Sequence, residues 1–285
     1  MGEVISGKDL ANLRREDLKI KIEDATKKYG RAPHLVVILV GDNPASVSYV
    51  TGKEKASIEV GIKNTTIKLP DTISEEELLK QIDELNNDDL VDGILVQLPL
   101  PKHINEAKVI KRIDVSKDVD GFHPLNVAAL FSKQECILPC TPKGIMEVLD
   151  SIHAEIEGKK ACVIGRSNIV GLPIYKMLLD RNATVVSCHS RTKDLANIAN
   201  KADILVVAIG KPRFVTSDMV KDGAIVIDVG VNRDPETGKL CGDVDFKNVK
   251  DKVSYITKVP GGIGPMTITC LMENSFECFL KRVNK

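Results

Sequence analysis

The sequence predicts an α/β fold in two domains, the second a doubly wound parallel sheet. Three observations carry this expectation. His34-Leu-Val-Val-Ile-Leu-Val40 is an almost wholly apolar run, the pattern of a parallel strand covered on both faces. From Lys160 onward, short apolar runs ending in glycine alternate with helical spacers, as in a chain that winds a parallel sheet. With 285 residues, 43% of them hydrophobic, the chain can bury a sizeable core, and its length suits two domains.

Charge and termini narrow the function classes. Lys plus Arg equals Asp plus Glu at 40 each, so no net field favours nucleic acid or an anionic membrane, and small-molecule chemistry becomes the default. The start, Met-Gly-Glu-Val-Ile-Ser-Gly-Lys, lacks the apolar centre of a signal peptide, and no apolar run is long enough to span a bilayer, which predicts a cytoplasmic protein or one that is organellar after processing. Seven scattered cysteines show no zinc-ligand spacing with histidine, so they are expected as reduced, mostly buried thiols, and no metal is expected.

Taken in order, Asp9 to Tyr29 is a helix ended by Gly30, and Gly41 closes the His34–Val40 strand. A helix follows from about Ser46 to Val60, with Gly61 as its terminator. Tyr49 and Lys53 are four apart, so they share a helix face that starts just past the carboxyl end of a parallel strand, where open α/β sheets build their sites. Spacing alone equally fits a solvated lysine beside a half-buried tyrosine. Asn64 to Leu69 is a further strand, and Ser74-Glu-Glu-Glu77 is a capping box for a helix whose apolar positions, Leu78, Leu79, Ile82 and Leu85, fall at helical spacing.

Val91 to Pro101 reads as a buried strand in which Gln97 is the anomaly, a primary amide at the carboxyl end, with Pro99 ending the pairing. Asp118 to Asn126 is loop-like, and Asp120 suits either a heterocycle's amide and amine donors or a cap on its own turn. Thr141-Pro142 has N-cap and N1 chemistry for a helix reaching about Ile152.

Lys160 to Pro173 reads as strand, tight turn and helix. Gly165 permits the turn and Gly171 lets helix and strand approach, so amides at the helix start are expected to face a phosphate, although Ser167 stands where the middle glycine of the dinucleotide fingerprint would be. Further strands are expected at Ala183–Cys188, Ala202–Gly210, Ala224–Gly230 and Ser254–Val259. The second of the five ends in Ser187-Cys188-His189-Ser190-Arg191-Thr192, with no carboxylate for ribose hydroxyls. Hydroxyls and a guanidinium suit a 2′-phosphate instead, and Arg166 in the first turn can join them, so NADP is favoured over NAD, although Arg191 taken alone fits a solvated loop charge. Pro260-Gly-Gly-Ile-Gly-Pro265 is a loop of bare backbone suited to lie against a flat ligand, and the closing helix runs from Thr267 to about Val283.

Together these segments resemble the bifunctional methylenetetrahydrofolate dehydrogenase/methenyltetrahydrofolate cyclohydrolase family. The resemblance rests on Ala45-Ser-x-x-Tyr49-Val-x-x-Lys53, Gly93-Ile-Leu-Val-Gln97-Leu-Pro, Asp118-Val-Asp120-Gly-Phe, Pro139-Cys-Thr-Pro142-x-Gly-Ile, Gly165-Arg-Ser-x-Ile-Val-Gly171, His189-Ser-Arg-Thr, Gly242-Asp-Val-Asp-Phe246 and Pro260-Gly-Gly-Ile-Gly-Pro-Met-Thr267. Ala129 and Lys258 depart from it, since a glycine is expected near the first and threonine is commoner at the second.

The resemblance implies a folate domain at 1–141, to which a helix at 267–285 returns, and a Rossmann-like NADP domain at 142–266, with the site in the cleft between them. It implies that Tyr49 stacks on the aminobenzoyl ring, Lys53 transfers protons, Gln97 orients Lys53 and Asp120 binds the pterin. Pro99, Gly262 and Pro265 become further folate contacts, and Gly165, Arg166, Ser167, Ile169, Gly171, Ser190, Arg191 and Thr192 become cofactor contacts. The implied partners are tetrahydrofolate derivatives, with or without a polyglutamate tail, and a second copy of the chain in a homodimer formed through the cofactor domain. Tyr49-x-x-x-Lys53 also matches the catalytic pair of short-chain dehydrogenases, but there the glycine turn precedes the pair, and here it follows. A monofunctional dehydrogenase and a non-catalytic NADP- and folate-binding module are the alternatives.

Overall fold

The computed structural model describes residues 2–234 and 236–284. The chain forms two compact units, one of Met1–Asn12 with Thr141–Thr267, the other of Leu13–Cys140 with Ile268–Lys285. The elements run β1 (Glu3–Ile5), α1 (Gly7–Tyr29), β2 (His34–Val40), α2 (Pro44–Val60), β3 (Lys63–Leu69), α3 (Glu75–Asn87), β4 (Gly93–Val96), α4 (Glu106–Arg112), α5 (Pro124–Phe131), α6 (Cys140–Ser151), β5 (Lys160–Ile164), α7 (Gly171–Asp180), β6 (Thr184–Cys188), α8 (Leu195–Ala199), β7 (Ile204–Val207), β8 (Ile225–Asp228), β9 (Asn232–Arg233), β10 (Leu240–Cys241), α9 (Phe246–Val249), β11 (Tyr255–Thr257) and α10 (Ile263–Val283).

In the unit holding residues 13–140, a parallel sheet runs β3-β2-β4 with β2 central. All seven residues of β2 are buried. Leu35, Val37 and Leu39 pack with α1, α2 and α10, while Val36, Ile38 and Val40 pack with α3 and α4. Strand alternation thus divides one apolar run between two cores, which is why β2 lacks a polar face. The capping box at Ser74 and Glu77 forms in both directions.

The other unit carries a six-stranded sheet ordered β1-β11-β8-β7-β5-β6, parallel throughout. Ala161 and Val163 of β5 enter one core, and Cys162 and Ile164 the other. Because β6 lies to one side of β5 and β7 to the other, the winding reverses between β5 and β7, and that reversal is where doubly wound sheets receive ligands.

The structure corrects several expectations. Residues 2–12 belong with the unit of Thr141–Thr267, because β1 adds to the sheet edge beside β11. A three-residue strand is too short to show a period. Helix α5 begins at Pro124, inside the Asp118–Asn126 stretch expected as loop. Helix α6 starts at Cys140, and the Thr141 hydroxyl meets that of Thr267 at 3.0 Å instead of capping. Helix α10 starts at Ile263, so Gly264 and Pro265 are helical; proline is tolerated in a first turn, whose N–H groups have no intrahelical acceptor. None of the cysteines forms a disulfide, and among the described residues no helix is long and apolar enough to cross a membrane.

Candidate active site

In the three-stranded unit, the carboxyl edge of the sheet gathers Lys53, Gln97 and Asp120. Asn43 accepts from the amides of Ala45 and Ser46, and Pro44 sits in the first turn, so α2 starts directly beyond β2. Its buried stripe is Ser46, Val50, Lys53, Ala56, Ser57 and Val60. Lys53 is therefore a core-facing position carrying an ammonium, only 9% exposed, and it requires a partner. Gln97 supplies one: Lys53 Nζ donates to Gln97 Oε1 at 2.9 Å.

Gln97 is held at both ends. Its backbone N–H donates to Ile38 O at 2.9 Å, continuing the β4–β2 ladder by one residue. Its Nε2 donates to Leu98 O at 2.7 Å, which leaves Oε1 for the lysine. Tyr49, one turn before Lys53, is 41% exposed, and burial of the rest of its ring raises the phenol pKa. Pro99 is exposed just past Gln97.

Asp120 reaches this edge through a bridge pairing Ile94 with Asp118 in parallel. Counting on by two, Asp120 lies level with Val96, the residue before Gln97. Burial raises the Asp120 carboxyl pKa, the positive charge of Lys53 pulls it back, and the charge of Asp118 adds to the rise.

Four buried residues build this seat, two of them, Lys117 and Asn274, outside every motif the sequence offered. Lys117 donates from Nζ to the carbonyls of Leu85, Asn86 and Asp88, so a cation closes the carboxyl end of α3. Asp118 accepts from His123 N and Asn126 Nδ2, both at 2.8 Å, which folds the chain sharply past Asp120. At Gly121, φ is 71° and a Cβ would lie 2.6 Å from Ile137 O, so only glycine fits that turn. Asn274 of α10 donates from Nδ2 to Val119 O and Leu138 O, both at 2.9 Å, and the Cys140 thiol meets Asp120 Oδ1 at 3.8 Å.

The other unit presents the ends of β5, β6 and β7. Gly165 has φ 130°, and a Cβ on it would lie 2.4 Å from Ala208 O; at Gly171 a Cβ would lie 2.3 Å from Gly165 O. Both glycines are needed for strand, turn and helix to close on one another. The amides at the start of α7 are engaged internally, contrary to expectation. Ser167 Oγ accepts from Val170 N and Gly171 N, and Ser167 O accepts from Leu172 N. The residue in place of the middle glycine therefore caps the helix itself, and the turn's Arg166, Ser167 and Ile169 are left as its exposed part.

Ile164 pairs with Cys188, which sets the Arg166 turn beside the His189–Thr192 turn. That turn is braced by His189 N donating to Thr192 Oγ1 at 2.8 Å, and Ser190 and Arg191 are exposed on it. A glycine cradle, two exposed guanidiniums, exposed hydroxyls and no carboxylate at the end of β6 fit a dinucleotide with a 2′-phosphate.

Gly262 and Pro265 lie in this same unit. A Cβ on Gly7 would lie 2.0 Å from Gly262 O, so it is the missing side chain of Gly7 that lets the start of α1 pack on the Gly262 carbonyl, while a Cβ on Gly262 would lie 2.6 Å from Lys258 O. Ala129 is within α5, and Lys258 is exposed after β11.

Two family models match the chain: tetrahydrofolate dehydrogenase/cyclohydrolase, catalytic domain, over residues 5–120, and tetrahydrofolate dehydrogenase/cyclohydrolase, NAD(P)-binding domain, over residues 139–283. The chain is 54% identical over 284 residues to "Bifunctional protein FolD" of Streptococcus uberis, covering 100% of each. It is similar to the crystal structure of the bifunctional methylenetetrahydrofolate dehydrogenase/cyclohydrolase FolD from Campylobacter jejuni, with TM-score 0.96 and 50% identity over 99% of this chain and 100% of that one. The Trypanosoma brucei dehydrogenase-cyclohydrolase, solved with NADP and an inhibitor, matches with TM-score 0.96 and 37% identity over 100% of this chain and 99% of that one.

Proposed function

The chain belongs to the tetrahydrofolate dehydrogenase/cyclohydrolase family, and from that premise we propose that it oxidises 5,10-methylenetetrahydrofolate with NADP and hydrolyses the methenyl product to 10-formyltetrahydrofolate. The observation that carries this reading is the buried Lys53 ammonium on the Gln97 amide at the carboxyl edge of its sheet, with Asp120 alongside.

When bound, NADP supplies the hydride acceptor. Arg166, Ser190, Arg191 and Thr192 hold its phosphorylated ribose end, and the Gly165, Ser167, Ile169 and Gly171 turn receives its backbone. Tyr49 offers a ring face to the aminobenzoyl group, Asp120 accepts from the pterin's donors, and Pro99, Gly262 and Pro265 add apolar and backbone contacts. These residues do the positioning that a hydride transfer depends on.

Hydrolysis of the methenyl cation makes a further demand, because attacking water must lose protons and a ring nitrogen must gain one. Lys53 serves that exchange, and Gln97 Oε1 aims its amine. The protein acts in the cytoplasm as a homodimer. Its contact is proposed along β6, an edge strand of the six-stranded sheet at the end opposite β1, where Val186 is exposed and an edge can pair with a second copy.

The test is to follow NADPH formation from methylenetetrahydrofolate and NADP⁺, and separately the decay of methenyltetrahydrofolate without cofactor. Both activities are expected. The first alone would make the protein a monofunctional dehydrogenase, and binding without either would make it a non-catalytic module. Light scattering on the same sample checks the dimer, with a monomer mass removing the β6 contact.

A further inference from the structure

Two buried carboxylates, Asp228 and Asp243, lie in series behind the carboxyl edge of the six-stranded sheet, outside every contact assigned above. Asp243 is fully buried. Its Oδ2 accepts from Ile209 N at 2.7 Å and Gly210 N at 3.0 Å, and its Oδ1 accepts from Lys211 N and Asn232 Nδ2, both at 2.8 Å. Three successive backbone amides therefore converge on one internal anion, the concave arrangement in which loops elsewhere bind phosphate.

Asp228 seats Asp243 in turn. Its Oδ1 accepts from Asp243 N at 2.9 Å and Gly230 N at 3.1 Å, and its Oδ2 from Val244 N at 3.0 Å. The packing admits no side chain between them: a Cβ on Gly242 would lie 1.8 Å from Asp228 Oδ2, and one on Gly230 would lie 2.2 Å from Asp243 Cγ. Holding the pair is costly, since burial and the Asp243 charge push the Asp228 carboxyl up to about 7.

What this cost secures is the shape of two loops at the ligand edge. Residues 208–211 leave β7 beside the phosphate turn, with Ala208 N donating to Ile164 O at 2.8 Å and Ala208 O filling the space a Cβ on Gly165 would need. Asn232 opens the strand after Val229-Gly230-Val231, the segment leaving β8. In doubly wound sheets the adenosine half lies over the first two strands and the other half across the reversal. Here that other half falls on the ends of β7 and β8, which Asp243 joins.

We propose that Asp243 is a positioning residue for the nicotinamide half of the NADP site, shaping the loops after β7 and β8 without touching the cofactor itself. The proposal rests on the reading of this unit as the NADP unit. Asp243→Asn keeps the size but turns an amide NH₂ toward amides that already donate, so part of the convergence is lost.

The test is calorimetric titration of wild type and D243N with NADP⁺, together with both half-reactions. The dissociation constant should rise by at least about tenfold, equivalent to ~1.4 kcal/mol. The dehydrogenase KM for NADP⁺ should rise more than that for methylenetetrahydrofolate, and the cyclohydrolase, measured without cofactor, should fall far less. Asn232→Ala, which removes one donor from a half-buried position, should move the NADP⁺ constant the same way by less. Unchanged NADP⁺ affinity in both variants, or equal loss of both activities, overturns the proposal by making the pair structural only. If wild type itself failed to bind NADP⁺, the cofactor assignment would fall first and the proposal with it.

Discussion

Lys53 Nζ donates to Gln97 Oε1 at 2.9 Å, joining the buried face of α2 to the first residue beyond β4. A lysine on a core stripe needs this acceptor, and the amide's other end is bound to Leu98 O, so the pair has one arrangement. Lys53→Met keeps the length and apolar stem and removes the amine. The cyclohydrolase should fall by at least the roughly 10²-fold typical of lost general acid–base catalysis. The dehydrogenase should keep a larger fraction, because hydride transfer needs no such proton. Gln97→Ala should act in the same direction more weakly. Both half-reactions on one folded preparation decide it, and equal losses would make Lys53 a binding residue.

Asp120 is seated by groups from distant parts of the chain, with Asn274 bonding the carbonyl of Val119 beside it. Asp120→Asn should weaken folate binding and both half-reactions, since an amide presents a donor of its own to one of the pterin's donors. Asn274→Leu leaves Leu138 O without this donor and Val119 O with the Cys140 thiol at 3.4 Å, costing about 1 to 3 kcal/mol for the carbonyl left unsatisfied. Equilibrium titration with tetrahydrofolate and thermal unfolding separate the two effects. Unchanged affinity in D120N would reduce Asp120 to a turn residue.

His34 gives the three-stranded unit a pH dependence. Its Nδ1 lies 3.0 Å from Leu90 O, an acceptor, so Nδ1 carries the proton, and Nε2 accepts from Thr65 Oγ1 at 2.9 Å. Burial first, then the charge of Lys63, lowers its pKa below the ordinary 6.5. The neutral ring is the native form, so its stabilising contribution is complete above pH 6.5 and is lost as pH falls through the depressed folded value. Between pH 7.5 and 5, Tm should therefore fall more in wild type than in His34→Gln. An equal fall in both would assign the dependence to other groups.

Legibility followed the kind of signal each feature leaves. Strand β2 announced itself because burial on both faces leaves six apolar residues in a row after His34, and the Ser74 capping box because its partners are three apart. Tyr49 and Lys53 were readable as a shared face, but only the structure shows Lys53 on the buried stripe. Asp243 stood in the Gly242–Phe246 motif, but its role was hidden because three of its four donors are backbone amides, which carry no mark in a sequence. Asn274 was hidden by distance, since its acceptors lie 155 and 136 residues away. The missing middle glycine was visible at Ser167, whereas its consequence, a hydroxyl that takes the first amides of α7, depends on the folded turn.

That substitution shifts the burden of cofactor recognition toward side chains. With Val170 N, Gly171 N and Leu172 N engaged by Ser167, the exposed cations at the ends of β5 and β6, Arg166 and Arg191, become the principal attraction for a phosphorylated ribose. The β5–β6 register holds their two turns side by side, and the end of β6 offers no carboxylate to repel a phosphate. Arg191→Ala should raise the NADP KM while leaving NAD use nearly unchanged, as expected for one charge-assisted contact of about 1.5 to 3 kcal/mol before solvent screening lowers it. Arg166→Ala should act alike, and the double variant should approach the same KM for both cofactors. Raising the ionic strength should weaken NADP binding in wild type more than in the double variant, because exposed charges are screened within about 10 Å at 0.1 M salt. Equal losses with NADP and NAD in either single variant would remove that arginine from the 2′-phosphate and make it a contact to the shared part of the dinucleotide.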